Sequence, residues 1–308
     1  FAAFALIEVS SLALVAGAGI GWLVSWSLTL DRVLRTLGSP VPRVLSVLLY
    51  ASAAFANNVT PFGQAGGEPF SALLISRVTE TPYERGLAAI AGVDSLNFIP
   101  SIILALGGLV YYAARFTVGK RLQAVMAVVV GLAIGIPLVI VALWWWRISL
   151  TRKISRGVTF ILRRMETVIP HIESPNVIQV RQRISNFSGA INRISMGGGD
   201  LLLALGFSAL GWLFLSVALW LSLYSLGYVI SPPIILIVVP VGTIASVAPL
   251  PGGAGGVEAI IVLLLVPTTG VSPATAGAAA VIYRVATYWL PTVLGGIAVV
   301  WLQGRSSA

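Results

Sequence analysis

The sequence predicts an all-α polytopic membrane protein, built as an inverted-topology repeat with two re-entrant helical hairpins. Three observations carry this expectation. The 308 residues are 57% hydrophobic and only 9% charged, whereas an ordinary soluble domain carries roughly 25% charged residues. Apolar runs long enough to cross about 30 Å of hydrocarbon, which takes roughly 20 helical residues, recur along the whole chain. A Gly-Pro-broken segment with an embedded carboxylate also occurs once in each half, as TPFGQAGGEPF around Glu68 and APLPGGAGGVE around Glu258. Interrupted apolar segments in corresponding positions of two halves point to a transporter-type site at the membrane midplane.

Taken in order, residues 1–30 read as an apolar helix with Gly17, Gly19 and Gly21 in its middle. Trp22 and Trp26 precede Asp31, Arg32 and Arg35, the pattern of a span ending in an interfacial belt. Gly17 and Gly21 have GxxxG spacing, which is read as close helix packing. Glu8 is expected at headgroup level, and a start at Phe1 inside an apolar run, with no Met, is expected of a chain with residues upstream. After Gly38, Pro40 and Pro42, a short apolar helix leads to Asn57, Asn58, Thr60 and Pro61. The glycine segment and a second short helix, Glu68–Arg77, follow. Two short helices joined by Gly-Pro backbone suggest a re-entrant hairpin, tolerated at membrane depth only where the broken backbone is buried in protein or lines a wet cavity.

Pro82 opens a long helix that contains Asp94, Asn97 and Pro100 and ends at Tyr111, Tyr112 and Arg115. Residues 122–146 form a clean span finishing in Trp144, Trp145, Trp146 and Arg147. The stretch 147–200 holds nine of the 19 Lys and Arg residues. In it Ile154, Val158, Ile161, Met165 and Val168 recur at helical spacing opposite arginines, and the pattern resumes through Ile184, Phe187, Ile191 and Ile194. This reads as a basic amphipathic hairpin on the cytoplasmic leaflet, with a partner-docking surface as the sharper alternative, and not as a nucleic-acid interface. Gly197, Gly198 and Gly199 act as a hinge. Residues 201–228 span again, Pro232 and Pro233 start a short helix, and a last long helix runs from Pro273 to Leu302.

The second half copies the first. Leu37-Gly38 pairs with Leu226-Gly227, Pro42 with Pro232, Gly63 with Gly252, Glu68 with Glu258, Thr81-Pro82 with Ser272-Pro273 and Pro100 with Pro291, all at offsets of 189 to 191. The chain divides accordingly into a first membrane repeat (1–118), a linking helix plus cytoplasmic hairpin (119–200) and a second repeat (201–308). Each repeat begins and ends on one side, and the extra span at 122–146 inverts the second copy. Fifteen basic residues then fall on the cytoplasmic side and only Arg115, Lys120 and Arg121 outside, as the positive-inside rule asks of a plasma-membrane protein.

With no cysteine and one histidine, thiolate nucleophiles, Cys/His metal sites and Ser-His-Asp relays are not expected, and neither is a metal, a cofactor or a catalytic residue. Glu68, Asp94, Glu258 and Arg284 are the ionisable residues inside the apolar zone. A lone Asp or Arg at the centre of a spanning helix costs roughly 2.5–3.5 kcal/mol, so these groups are expected to face a cavity or each other. One reading is a buried ion pair of Arg284 with Glu258 or Glu68 that fixes the packing of the repeats. The other takes the turns at Gly63, Gly66 and Gly67 and at Gly252, Gly253, Gly255 and Gly256 as carriers of backbone N–H groups aimed at an anion, with Tyr283 and Arg284 beside them. Neither glycine run follows a strand or gives G-x-G-x-x-G or G-K-[ST], so nucleotide binding is not expected.

The segments TPFGQAGGEPFSALLI, APLPGGAGGVEAIIVLL and AAAVIYRVATYWLPTVLGG resemble the motifs of the flippase-like membrane domain family, the membrane half of lysylphosphatidylglycerol synthases, which also occurs as stand-alone proteins. The resemblance covers nearly the whole chain. It implies an all-helical protein that translocates a lipid between leaflets, with Glu68, the Gly252–Gly256 turn, Glu258 and Arg284 at its site. The synthases' soluble aminoacyl-transferase domain is missing from this sequence, so a phospholipid, an aminoacylated lipid and a polyprenyl-linked glycolipid all stay open as the membrane lipid moved. A secondary transporter of a small anionic solute and an intramembrane lipid-modifying enzyme are the competing readings.

Overall fold

The structure, a computed structural model, describes residues 9–61, 63–115, 177–244 and 250–306, with residues 127, 130, 131 and 135 described singly. All of the expected span 122–146 except those four residues, the amphipathic run 154–168, Glu8, Lys120, Arg121 and residues 246–249 of the second glycine motif lie outside the described residues. Among the described residues every regular element is a helix. In order these are α1 Val9–Thr36, α2 Arg43–Val59, α3 Gln64–Val78, α4 Tyr83–Arg115, α5 Val177–Ser195 and α6 Gly199–Tyr224. They are followed by α7 Pro232–Ile244, α8 Gly256–Thr269, α9 Pro273–Arg284 and α10 Leu290–Ser306. A 3₁₀ turn, Pro251–Gly253, precedes α8, and a π-helical turn, Val285–Trp289, joins α9 to α10.

Five of the described helical segments are long and apolar enough to cross a membrane: Ser10–Thr36, Tyr83–Arg115, Gly199–Tyr224, Pro251–Thr269 and Pro273–Gly304. The protein is therefore a multi-pass integral membrane protein. Pro251–Thr269 reaches this length, although the sequence reads as a short hairpin limb there, because the 3₁₀ turn runs into α8. Gly252, at φ 53°, still interrupts the helical backbone.

Helix ends follow the punctuation of the sequence. Gly38 and Gly227 take up φ 76° and 85°, and each ends its helix in the same way. Gly38 N–H and Ser39 N–H reach back to Arg35 and Leu34 carbonyls, and Gly227 N–H and Tyr228 N–H to Tyr224 and Leu223 carbonyls. These are glycine-dependent C-caps in which a Cβ would strain the left-handed turn. Ser272 caps α9 by accepting from Thr275 N–H at 3.1 Å, with Pro273 at the first helical position. α1 continues past the end expected at residue 30 because its charges are neutralised locally. The fully buried Asp31 carboxylate takes Arg35 Nε at 2.9 Å, and Arg32 Nη1 reaches Asp200 of α6 at 3.2 Å. Asp31 therefore joins the buried ionisable groups named from the sequence.

The most extensive helix pair is α1 on α6, and small residues permit it. A Cβ on Gly21 would overlap the Phe214 ring, and one on Gly211 the Trp26 indole. Trp26 Nε1–H donates to the Ser208 carbonyl at 3.2 Å across the same seam. The GxxxG expectation is corrected here, since Gly17 has open space around its Cα. Gly19 instead lies on the Ala286 carbonyl, so Gly19 and Gly21 make the close contacts.

Each short helix pairs with its sequence neighbour, α2 with α3 and α7 with α8, and then crosses to a long helix of the other half: α2 packs on α10, and α7 on α4. Glycine marks both crossings, with Gly295 against the Ala51 carbonyl and Phe55, and Gly108 against the Pro233 carbonyl and Ile237. α5 lies against α4 through the face the sequence predicts: Ile194 is buried, Ile184, Phe187 and Ile191 are half-buried, and Arg183 pairs with Glu84 at 3.3 Å.

Overpacking a tight interior contact costs roughly 1–3 kcal/mol. Gly295→Ala is therefore expected to lower the thermal midpoint in detergent, because the added Cβ has only the Ala51 backbone and Phe55 to displace. Gly277→Ala, where a Cβ meets nothing within 4 Å, is expected to leave the midpoint unchanged or raise it. Equal midpoints for the two variants would show that the α2–α10 crossing is not closely packed.

Candidate functional site

Arg284 is the last residue of α9, at the start of the π-helical turn, and is 9% exposed. Three groups hold its guanidinium. Nε donates to Glu258 Oε1 at 2.9 Å, Nη2 donates to the Gly252 carbonyl at 2.9 Å, and the guanidinium carbon lies 4.2 Å from the centre of the Tyr288 ring. Each partner is positioned by local backbone chemistry. Glu258 occupies the third position of α8, where its other oxygen accepts from Gly255 N–H at 2.8 Å and caps the helix. At Gly252 the positive φ turns the carbonyl toward Arg284, and a Cβ there would overlap the Tyr288 ring. Tyr288 sits in the π-turn, whose extra residue re-aims side chains and recurs at functional sites. Its hydroxyl donates to the Asn58 carbonyl at 3.2 Å, while Asn58 Nδ2 donates back to the Tyr288 carbonyl and to Thr292.

This clamp forms one wall of a cavity of about 280 Å³, at the lower end of the roughly 300–1,000 Å³ typical of small-molecule sites. Tyr283, Arg284 and Thr287 line it from the last long helix, Gly252 and Val257 from the second glycine segment, and Gly63 and Gln64 from the first. Asp94, Asn97 and Ser101 enter from α4, Tyr50, Asn57 and Asn58 from α2, Trp22 and Trp26 from α1, and Trp212 from α6.

Of the residues predicted from the sequence, Gly63, Asp94, Gly252, Tyr283 and Arg284 thus come together on one cavity. Glu258 is joined to it through Arg284, and Glu68 lies close to Asp94. Gly66, Gly67, Gly253, Gly255 and Gly256 are not on the lining. One expectation is corrected. The turn N–H groups are largely committed within the turns: those of Gly66 and Gly67 to the Gly63 carbonyl, that of Gly253 to Leu250, and that of Gly255 to Glu258. The glycines serve close approach, because a Cβ on Gly66 would meet the Pro61 carbonyl and one on Gly67 the Asn57 side chain. The ion pair expected of Arg284 with Glu258 or Glu68 forms with Glu258.

The sequence reading missed the aromatic wall. Trp26 packs edge-to-face with Trp22, Tyr50 and Trp212 at centroid distances of 5.4, 6.3 and 5.5 Å. A signal was present: Trp22 and Trp26 are four residues apart, on one helix face, and Trp212 follows Trp22 by 190 residues, the offset of the paired motifs.

Residues 2–295 match the family described as the lysylphosphatidylglycerol synthase TM region. The chain is 27% identical to a UPF0104 membrane protein of Methanothermobacter thermautotrophicus over 91% of this chain and 79% of that protein. It is 24% identical to UPF0104 membrane proteins of Pyrococcus horikoshii, over 80% of this chain and 73% of that one, and of Methanocaldococcus jannaschii, over 83% and 74%.

Removing one partner of a hydrogen-bonded charge pair leaves the other unpaired, at a cost of several kcal/mol when both are deeply buried and less here, where Glu258 is 27% exposed. Glu258→Ala is expected to lower the thermal midpoint more than Glu258→Gln, which keeps an acceptor for Gly255 N–H. In the double variant with Arg284→Ala the losses are expected to be less than additive, with a coupling of about 1–3 kcal/mol. Strict additivity would mean that the pair contributes nothing to stability.

Proposed function

The chain belongs to the lysylphosphatidylglycerol synthase transmembrane-region family, and from that premise we propose that it is a lipid translocase, moving a phospholipid or lipid-linked headgroup between bilayer leaflets through the cavity at Arg284. The observation that carries this reading is a guanidinium fixed on the wall of a cavity lined by residues of the membrane-length apolar helices. An intramembrane cation is costly and is retained where it meets an ion path or a headgroup. Nε and Nη2 are committed, while Nη1 makes no hydrogen bond among the described residues. That leaves three of the five N–H donors, two of them on Nη1, for a phosphate oxygen, and charge-assisted bonds of this kind are roughly twice as strong as neutral ones. The acyl chains stay in the bilayer while the headgroup crosses.

The proposal includes an inverted repeat, 1–118 and 201–308, with α2–α3 and α7–α8 as re-entrant hairpins. Support comes from the matched caps at Gly38 and Gly227, the positive φ of both Gly63 and Gly252, and the reciprocal crossings of α2 to α10 and α7 to α4. Such swaps are expected when two copies are related by an axis in the membrane plane. Residues 147–200 are proposed to face the cytoplasm of a plasma-membrane protein because of their basic charge. The activity is proposed to be transport, without covalent chemistry on the lipid.

Reconstituted protein is expected to accelerate loss of asymmetry of an acyl-labelled phospholipid in proteoliposomes. Arg284→Ala is expected to slow it at least about tenfold, equivalent to roughly 1.4 kcal/mol. Arg115→Ala, at the exposed end of α4, is expected to leave the rate as it was. Wild-type rates in the Arg284 variant would reject this site, and uptake of a small anion without lipid movement would reject translocation.

A further inference from the structure

We infer that Glu68 and Asp94 form a proton-binding site, and that lipid movement is coupled to a proton held between their two carboxyl groups. The coupling rests on the translocase reading above and adds the driving ion, whereas the site stands on observations of its own. Glu68 of α3 lies close to Asp94 of α4, and each stands 190 residues before a member of the clamp, Glu258 and Arg284 respectively. Both pairs are therefore 26 residues apart in the chain. Beyond them, Pro100 and Pro291 are offset by 191. The one additional residue falls where the π-turn Val285–Trp289 lies, while α4 continues there as unbroken α-helix. The two pairs occupy equivalent positions in the chain, and an acid stands at residue 94 where the clamp has its guanidinium.

That difference leaves a positive charge missing. Glu258 has its cation, but among the described residues neither Glu68 nor Asp94 is in an ion pair. Asp94 stands inside the membrane-length segment Tyr83–Arg115, and its Oδ2 is buried and accepts no hydrogen bond. Two ionised carboxylates are acceptors only, so they cannot satisfy each other, and side by side in an apolar setting they repel. One proton changes both facts: it removes a charge and makes one group a donor to its neighbour, as in carboxyl pairs that share a proton. A metal ion suits the pair less well, because hard cations take roughly six oxygen ligands. No cluster of three or more His, Cys, Asp or Glu residues occurs among the described residues.

The neighbouring helices supply no free cation. Tyr50 of α2 lies beside Asp94, Tyr83 at the start of α4 lies beside Glu68, and α7 carries no ionisable residue. α1 and α6 commit Asp31, Arg32, Arg35 and Asp200 to one another, and α5 commits Arg183 to Glu84. Asp94 lines the same cavity as Arg284, which is held by Glu258 and the Gly252 carbonyl. A proton on the pair takes one negative charge off that lining and so strengthens phosphate binding at Arg284. By linkage, a bound phosphate strengthens proton binding by the same factor. Lipid and proton therefore load together and leave together, and a proton gradient drives lipid in the direction in which protons run.

The test uses the full chain in proteoliposomes with acyl-labelled phosphatidylglycerol in the outer leaflet, after subtraction of protein-free vesicles. Acidifying the outside alone is expected to speed inward movement at least about fivefold over vesicles buffered symmetrically at either pH, the lower end of ordinary couplings between two sites. In Glu68→Gln and Asp94→Asn, which keep the side-chain shape and leave one carboxyl group with no acid to share a proton with, that ratio is expected to fall to about one. Infrared spectra of the protein in detergent give a readout that needs no transport. A protonated-carboxyl band is expected at neutral pH in the wild type and is expected to be lost in both variants.

Lipid movement indifferent to the pH gradient, together with no such band, would overturn the proton site and leave translocation standing. A band that both variants lose, with no lipid movement under any gradient, would overturn translocation and retain the site. A rate that follows a sodium gradient at constant pH would overturn the proton as the ion. A wild-type response to the pH gradient in Asp94→Asn would overturn the assignment to this pair.

Discussion

The architecture around the cavity depends on the fixing of one guanidinium. In hydrocarbon, Arg284 would be left with a charge and five N–H donors and no water. Glu258, the Gly252 carbonyl and the Tyr288 ring answer that demand from three segments, so satisfying the cation fixes the second glycine turn, the start of α8 and the π-turn relative to one another. Each partner carries a backbone condition. Glu258 has to stand at the third position of α8, where its second oxygen caps the helix. Residue 252 has to lack a Cβ, and the helix has to gain a residue after Arg284 to bring Tyr288 over the guanidinium. The glycines of the motif are therefore consequences of placing an arginine.

The clamp is tied to the other half of the chain through polar contacts at the cavity edge. Asn58 and Tyr288 exchange hydrogen bonds between α2 and the π-turn, and Trp212 reaches the Asn97 carbonyl between α6 and α4. Apolar packing alone is weakly directional between helices in lipid, where the tails are as apolar as the side chains, so small residues and hydrogen bonds set the register. Gly19, Gly108, Gly211 and Gly295, each in contact with backbone or an indole of another helix, do the steric part of this. A displacement of α2 consequently reaches Arg284 through Tyr288 without a direct contact.

Much of this was legible in the sequence, and the parts that were not have physical reasons. Helix starts at Pro82, Pro232 and Pro273 and stops at Gly38 and Gly227 were readable because proline and glycine act on the backbone locally. Arg284 was readable because a cation inside an apolar helix has few tolerable environments. Pairing was less so. Spacing along the chain does not say which of two buried glutamates a single arginine meets, and Glu258 has the advantage of a cap that fixes its rotamer. The glycine N–H groups were assigned to an anion when the turns themselves use most of them, which no local pattern distinguishes. Trp22 and Trp26 were read as an interfacial belt because tryptophan near a charged helix end has that meaning on average. Burial on α6 at Gly211 overrides it here.

The fixed, half-neutralised state of Arg284 also bears on how a headgroup would be handled. A bare buried cation would bind phosphate tightly and release it slowly, whereas passage requires binding strong enough to enter a site and weak enough to leave. Glu258 already occupies the Nε edge of the guanidinium, so under the translocase reading an arriving phosphate adds to a neutralised pair at Nη1 instead of meeting an uncompensated charge. The gain is correspondingly small, which suits a site that a headgroup has to leave as well as enter.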